Sequence, residues 1–454
     1  MYFNMIIFTA IKFYMNTMKQ KILLLILLLS SFLAAHSQEN IIELRLTTQS
    51  GYGPFNMALR GISSIREDEN DPWKNTYLKV PQLPKDLTEL KYGNIETNRY
   101  QETYQDYISG NITKSGYEEL QKLWNWVPDS LTLSQKPIRT KIALAYGKDS
   151  DGNLKIVVDA NNNLDLSDDK PVSLLEMNED NSNKDSLAQI HTIDVTVETY
   201  VEGKIRSIKT PLFIMYNKEY NMFMCNFPQY ATTEYKGKKI AICSSDFTDL
   251  SYRMIGLTII KDDMKKGEKV ERNHVYRKNE YIEIGDGNYK VVEVNTFKNK
   301  LILERTDLPK SQLISSQVGY RPFPFEKESF QQKTTIALEK LKGKYVLLDF
   351  WAVWCGACLA EIPNLKKLYA NVDKSKFEMI GIVGDSPAES LKELIDKHGI
   401  TWPQILLDNT DQIKKGYGIN GYPTTFLLNK EGVIIATNLR GKELEEKILN
   451  LIKE

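Results

Sequence analysis

The chain lacks a surplus of charge of either sign: its 454 residues include 59 Lys and Arg and 59 Asp and Glu. With no long basic run and no nucleic-acid motif, it has no electrostatic reason to bind DNA or RNA. Histidine is scarce, four in all, and scattered, so no shared histidine site is indicated. His398, just before Gly399, reads as a residue at the C-terminal end of a helix. Cysteine is equally scarce, with four. Two of them, Cys355 and Cys358, form a CxxC, but there is no second CxxC and no suitably spaced His pair to complete a zinc site. The apolar run Ile22 to Leu29 falls short of a membrane span.

That short run has informative flanks. Lys19 and Lys21 precede it, and SSFLAAHSQ follows it. This order of charged, apolar and small residues reads as a secretory signal over residues 1–37, cleaved after Ser37, with Met18 the true start. If the signal is cleaved the protein is exported to a compartment where disulfides persist; membrane association is expected only if it is retained. The length and the 42% hydrophobic content allow two or three domains with substantial cores.

Residues 38–316 read as a mainly β domain, either one unit or two subdomains. Ile41 to Thr47, Lys141 to Tyr146, Lys155 to Val158, Ile193 to Thr199, Pro211 to Tyr216, Lys239 to Cys243, Tyr281 to Ile284, Tyr289 to Val294 and Lys300 to Glu304 cluster or alternate β-branched residues. Turn signals such as Lys236-Gly237 and Lys298-Asn299 separate several of them. Between Asp106 and Trp126 the period becomes helical, with Tyr117, Leu120, Leu123 and Trp124 on one face, which predicts a small helical insertion. Residues 317–454 change character. Strands at Tyr345 to Phe350, Phe377 to Val383, Gln404 to Leu407, Thr424 to Asn429 and Val433 to Thr437 alternate with helices at Ala357 to Ala370, Pro387 to His398 and Lys442 to Ile452. That order implies an α/β sheet covered on both faces.

The stretch VLLDFWAVWCGACLAEIP, Val346 to Pro363, carries the chemistry. A disulfide between residues three apart closes too small a loop to stabilise much, so the pair reads as redox-active. A strand runs directly into it and a helix begins at it. A thiolate there faces the unpaired N–H groups and the positive end of the helix dipole, which can lower a Cys pKa from about 8.5 to roughly 3.5–7.5. Cys355, at the edge, is the expected attacking thiolate and Cys358, one turn in, the resolving thiol. A carboxylate at Asp349, desolvated between Leu-Leu and Phe-Trp, should have a raised pKa and exchange protons near neutrality.

LLDFWAVWCGAC resembles the active-site strand and loop of thioredoxins. Together with Glu361, Pro363, WPQILLD (Trp402 to Asp408) and Gly421-Tyr422-Pro423-Thr424, the wider run resembles the TlpA/ResA-like branch of exported thiol–disulfide oxidoreductases. The resemblance covers residues 318–454 and implies a thioredoxin-like fold, a central mixed sheet flanked by helices. It also implies roles: Asp349 as the buried acid that takes the proton of Cys358, Glu361 as an acid tuning the thiols, and Pro423 as the cis-proline beside the disulfide. Tyr422 would offer backbone groups to a substrate strand and Trp354 an apolar rim, whereas Trp351 reads as core. The implied location is periplasmic. The implied partners are protein thiols and disulfides with a membrane thiol donor of electrons, and cytochrome c maturation is one process that uses such enzymes. No cofactor is required. Gly356-Ala357 departs from the Gly-Pro common in thioredoxins, and the direction of electron flow stays open, with reduction preferred. A thioredoxin-fold peroxidase and a binding protein using the fold as scaffold are the rival readings.

Two features lie outside this resemblance. Asp159, Asn161, Asn163, Asp165 and Ser167 place oxygens at the spacing of a calcium loop, although Leu164 stands where Gly is expected and Lys170 where the bidentate Glu should be. An acidic turn between strands would look similar. Cys225 and Cys243 lie in strand-like segments, either as a structural disulfide or as two buried thiols.

Overall fold

The computed structural model describes residues 40–454 except 63, 66, 67, 69, 125, 130, 174, 177–189, 266, 409, 410, 420 and 454. The signal expected over residues 1–37 lies outside the described residues. Among those described, no helix is long and apolar enough to cross a membrane. The chain divides into two compact units, Met1–Thr306 and Asp307–Glu454. The division falls before the expected 316/317 boundary because the intervening segment is bonded into the second unit. Arg321 N–H donates to the Leu313 carbonyl and Gly319 N–H to that of Ile434.

The first unit is built from antiparallel sheets. Ile41–Arg45 pairs with Lys300–Thr306, which pairs with Gly287–Asn295 and so with Tyr281–Ile284. Thr47–Ser50, Gln229–Tyr235, Lys238–Ser244 and Ile255–Ile259 form a second sheet. The inner faces of these two share one core of Leu46, Ile240, Ile242, Leu257, Ile282 and Tyr289. A further core joins Ile142, Leu144 and Ile156 to Val195, Leu212 and Phe223 from two other sheets. Two helices, Arg99–Ile108 and Lys114–Leu123, lie between the paired strands Thr88–Glu96 and Lys141–Lys148. Asn98 and Thr113 cap them by accepting the N–H groups of Gln101 and Gly116. The first helix buries polar residues, including Glu102 and Asp106, because Lys141 lies beneath it with its Nζ 2.8 Å from Glu102 Oε1 and 3.5 Å from Asp106 Oδ2. In the second, Tyr117 is buried but Leu123 is 76% exposed, so the apolar face is narrower than its spacing predicts. Leu123 is the helix's last residue, where the chain turns away.

Cys225 and Cys243 are both free and buried. Their strands, Met222–Asn226 and Lys238–Ser244, belong to different sheets and different cores, which is why no disulfide joins them.

The second unit holds one five-stranded sheet. Its elements are β1 (Tyr345–Trp351), α1 (Gly356–Asn371), β2 (Phe377–Val383), α2 (Ala388–His398), β3 (Gln404–Leu406), α3 (Gln412–Gly416), β4 (Thr424–Leu428), β5 (Ile434–Thr437) and α4 (Gly441–Lys453). The order is β3-β2-β1-β4-β5. The first three strands are parallel and the last two antiparallel to their neighbours. This is the thioredoxin-like arrangement. Every residue of β1 is buried, as a central strand covered on both faces requires. Its period of two sends Leu347 and Trp351 into a core under α1 and α4, and Val346, Leu348 and Phe350 into one on the opposite face. Each such burial stabilises by about 1.5–3 kcal/mol. α2 ends at Gly399, whose φ of +63° suits glycine, and Lys366 Nζ donates to the His398 carbonyl at 3.0 Å.

Candidate active site

The site is built at the end of β1. The chain leaves the sheet after Trp351, and four residues on Cys355 becomes the N-cap of α1, its Sγ accepting the N–H of Cys358 at 3.2 Å. Cys355 and Cys358 are disulfide-bonded with Cα atoms 5.2 Å apart. In this oxidised form they are covered almost equally, 6% and 4% exposed, so burial does not separate their roles. Position does. Cys355 Sγ already faces a helix N–H, and that donor is free to stabilise a thiolate on reduction.

The same alternation that sorts the core places Asp349 on the α1 face, between Leu347 and Trp351. Asp349 is 6% exposed. Burial, and then the nearby Glu361 carboxylate, push its pKa up to about 7, against an opposing pull from Arg440. A buried carboxyl at that value can hold or release a proton near neutrality. Glu361, on α1, is not a freely solvated surface acid. Its Oε1 accepts the N–H of Gly441 at the start of α4 at 2.7 Å, and its Oε2 accepts from Asn364 at 3.0 Å.

The Tyr422–Pro423 peptide is cis and immediately precedes β4, which pairs with β1. Arg440 donates to the Pro423 carbonyl. Trp354 is 63% exposed and meets the Tyr422 ring edge-on, with centroids 5.8 Å apart. Trp351 is core, and its indole Nε1 donates to Gln404 Oε1 at 2.9 Å. Gln404 can reach it because Gly381 stands between them. Asp349, Gly381 and Gln404 form one cross-strand row, and a Cβ on Gly381 would lie 1.9 Å from Gln404 Oε1.

The structure thus brings together Cys355, Cys358, Asp349, Glu361, Trp354, Tyr422 and Pro423. Sequence reasoning missed Arg440, Gln404 and Asp385, which receives the Trp354 indole N–H on its backbone carbonyl at 2.9 Å. These act through carbonyls and sheet register, which leave no local motif.

The calcium-spaced residues lie in the first unit. Asp159 is fully buried and accepts the N–H groups of Asn163 and Leu164 at 2.9 and 2.8 Å. Asn161 and Asn163 also accept loop N–H groups, at 3.0 and 2.8 Å, as does Asp165 from Ser167 at 2.8 Å. Among the described residues, no group of three or more His, Cys, Asp or Glu is arranged to hold a metal ion. The side-chain oxygens of this loop cap its own backbone N–H groups.

Residues 321–437 match the profile of the AhpC/TSA family. The thiol–disulfide oxidoreductase ResA of Halalkalibacterium halodurans is 32% identical over 121 residues, 26% of this chain and 68% of that protein. ResA of Geobacillus kaustophilus is 35% identical over 118 residues, 26% of this chain and 67% of that protein. Among solved structures, the thioredoxin domain of a thiol-disulfide oxidoreductase from Bacteroides vulgatus is 31% identical, with a TM-score of 0.29. It covers 30% of this chain and 97% of that one.

Proposed function

The chain belongs to the ResA-like thiol–disulfide oxidoreductases, and from that premise we propose that it is an exported reductase of protein disulfides. The observation that carries the reading is Cys355 at the N-cap of α1, bonded to Cys358, with the buried acid Asp349 in the strand that leads into the pair. In the reduced enzyme the Cys355 thiolate attacks one sulfur of a substrate disulfide. A Cys355–substrate disulfide forms and the first substrate thiolate leaves. Cys358 then gives its proton to the Asp349 carboxylate, and its sulfur attacks Cys355 Sγ. The second substrate thiolate departs, the Cys355–Cys358 disulfide re-forms, and two electrons have passed to the substrate. A dithiol donor, expected at the membrane, reverses the exchange to restore both thiols. Glu361 places its carboxylate near enough to Asp349 to help raise that acid's pKa. Trp354, Tyr422 and Pro423 form the surface along which an extended substrate segment lies.

Export rests on the charged, apolar and small residues ahead of Ser37. A periplasmic location and a role in cytochrome c maturation follow from the resemblance alone. Two measurements test the reading. The reduced chain should reduce insulin disulfides above a Cys355→Ala control, and Cys358→Ser should trap substrates on Cys355 in cells. Trapped apo-cytochrome c or another thiol protein supports the reductase. A broad set of folding exported proteins would point to oxidation or isomerisation instead. Peroxide consumption without insulin reduction would favour the peroxidase reading.

A further inference from the structure

We propose that Asp385 is a positioning residue for this reaction: by holding Trp354 and Tyr422 in one arrangement, it sets the affinity for extended protein substrates. The inference rests on the reading above, in which those two side chains flank the bound substrate. Asp385 belongs to Gly384-Asp385-Ser386, the loop that leaves the end of β2 beside the CxxC loop. The attachment is close. Gly384 N–H donates to the Trp351 carbonyl at 3.1 Å and Val353 N–H to Ser386 Oγ at 3.1 Å. The Trp354 indole donates to the Asp385 carbonyl at 2.9 Å.

The side chain of Asp385 reaches the other way. Its Oδ2 accepts the Tyr422 hydroxyl at 3.0 Å and pairs with Lys414 of α3. One residue therefore grips the aromatic next to Cys355 through its backbone and the aromatic next to Pro423 through its carboxylate. Nothing else described joins those two side chains through hydrogen bonds to a common residue. The conformation that permits this is unusual. Asp385 has a φ of +50°, in the left-handed region that Asp and Asn tolerate better than other non-glycine residues. Gly384 is required beside it, because a Cβ there would lie 2.1 Å from the Tyr422 hydroxyl oxygen. Lys414 and Tyr422 hold the Asp385 carboxyl below its ordinary range, so it remains an acceptor at neutral pH.

A rim ordered before binding spares the substrate the cost of ordering it, and that saving appears in affinity rather than in the chemical step. A small disulfide that touches only sulfur gains nothing from it. The test uses the full chain and compares insulin with an aromatic small-molecule disulfide, 5,5′-dithiobis(2-nitrobenzoate). Asp385→Ala should raise KM for insulin about 5- to 10-fold while kcat, and the rate with the small disulfide, stay within about twofold. Asp385→Asn keeps an acceptor for Tyr422 and suits the backbone, so it should recover most of the affinity. Tyr422→Phe, which needs no change at 385, should raise KM like Asp385→Ala, and the double variant should add little. An unchanged KM in Asp385→Ala and Tyr422→Phe, with the wild type active, overturns the proposal alone. A parallel loss with both substrates also overturns it, since that is what general loosening would do. A wild type no better than Cys355→Ala on insulin overturns the underlying reading, and this inference with it.

Discussion

Glu361 accepts the backbone N–H of Gly441 at 2.7 Å, so the helix that begins at the disulfide is tied to the start of the last helix by an acid. That bond fixes the carboxylate where it faces Asp349, rather than leaving it to wander in solvent. Removing the charge and removing the bond are therefore separable. In Glu361→Gln the amide oxygen still accepts from Gly441, but the repulsion that helps raise Asp349 is gone. The pH midpoint of the resolving step should fall by less than about one pH unit, because burial, the larger cause, persists. Glu361→Ala also leaves a first-turn N–H without its acceptor, and should cost a further 1–2 kcal/mol or about that in denaturant titrations. Equal stability of the Gln and Ala variants would contradict the anchoring role.

Asp349→Asn should separate the two halves of the catalytic cycle. Attack by Cys355 on a substrate disulfide needs no proton acceptor beneath it, whereas Cys358 must lose a proton before it attacks. At pH 8 the variant should form the mixed disulfide at nearly the wild-type rate and resolve it about 100-fold more slowly. Acid quenching followed by mass spectrometry would show the mixed disulfide accumulating. If instead its formation slows and it never accumulates, Asp349 acts on Cys355 and the assignment is reversed.

The second unit was legible because its strands are continuous apolar runs and its cysteines sit in a specific motif. β2 and α1 fall where the pattern puts them, within one residue at each end. The first unit was harder to read for identifiable reasons. The helix Arg99–Ile108 buries Gln101, Glu102, Thr103 and Asp106, so hydrophobic periodicity passes over it. The strand Thr88–Glu96 carries Lys91, Gly93 and Asn94 and was likewise not anticipated. At the site, residue types that do chemistry announced themselves. Asp385 and Gln404, which work by placing a carbonyl or an amide opposite a distant indole, did not. Such partners arise from register between strands far apart in the chain.

Gly381 illustrates that register and can be tested directly. Its missing side chain lets Gln404 cross β2 to accept the Trp351 indole. Gly381→Ala would put a methyl group 1.9 Å from Gln404 Oε1, in a fully buried place. Gln404 must move, and Trp351 then loses its partner. The variant should be destabilised by about 2–4 kcal/mol, with the loss read from urea unfolding of the second unit. Adding Gln404→Ala should recover part of it by clearing the space. A single variant within about 0.5 kcal/mol of wild type would mean that the row tolerates a side chain.

The pKa of Asp349 also fixes the sign of a stability effect. Its ordinary value is 3.8 and burial raises it to about 7 in the folded chain. Between those values the folded state keeps the proton and the unfolded state releases it. Stability contributed by this group is thus greatest below pH 4, falls as pH rises towards 7, and is flat above. The gap corresponds to roughly 4 kcal/mol at most. Other acids, such as Asp385 and Asp373, have lowered values and act in the opposite sense, so the wild-type curve alone is ambiguous. Asp349→Asn removes only this titration. Relative to wild type, the oxidised variant should gain stability on going from pH 5 to pH 8, measured by urea unfolding of the second unit followed through its tryptophans. A wild-type-minus-variant difference that is the same at both pH values would show that Asp349 does not hold its proton in the folded chain, and would remove it as the acceptor for Cys358.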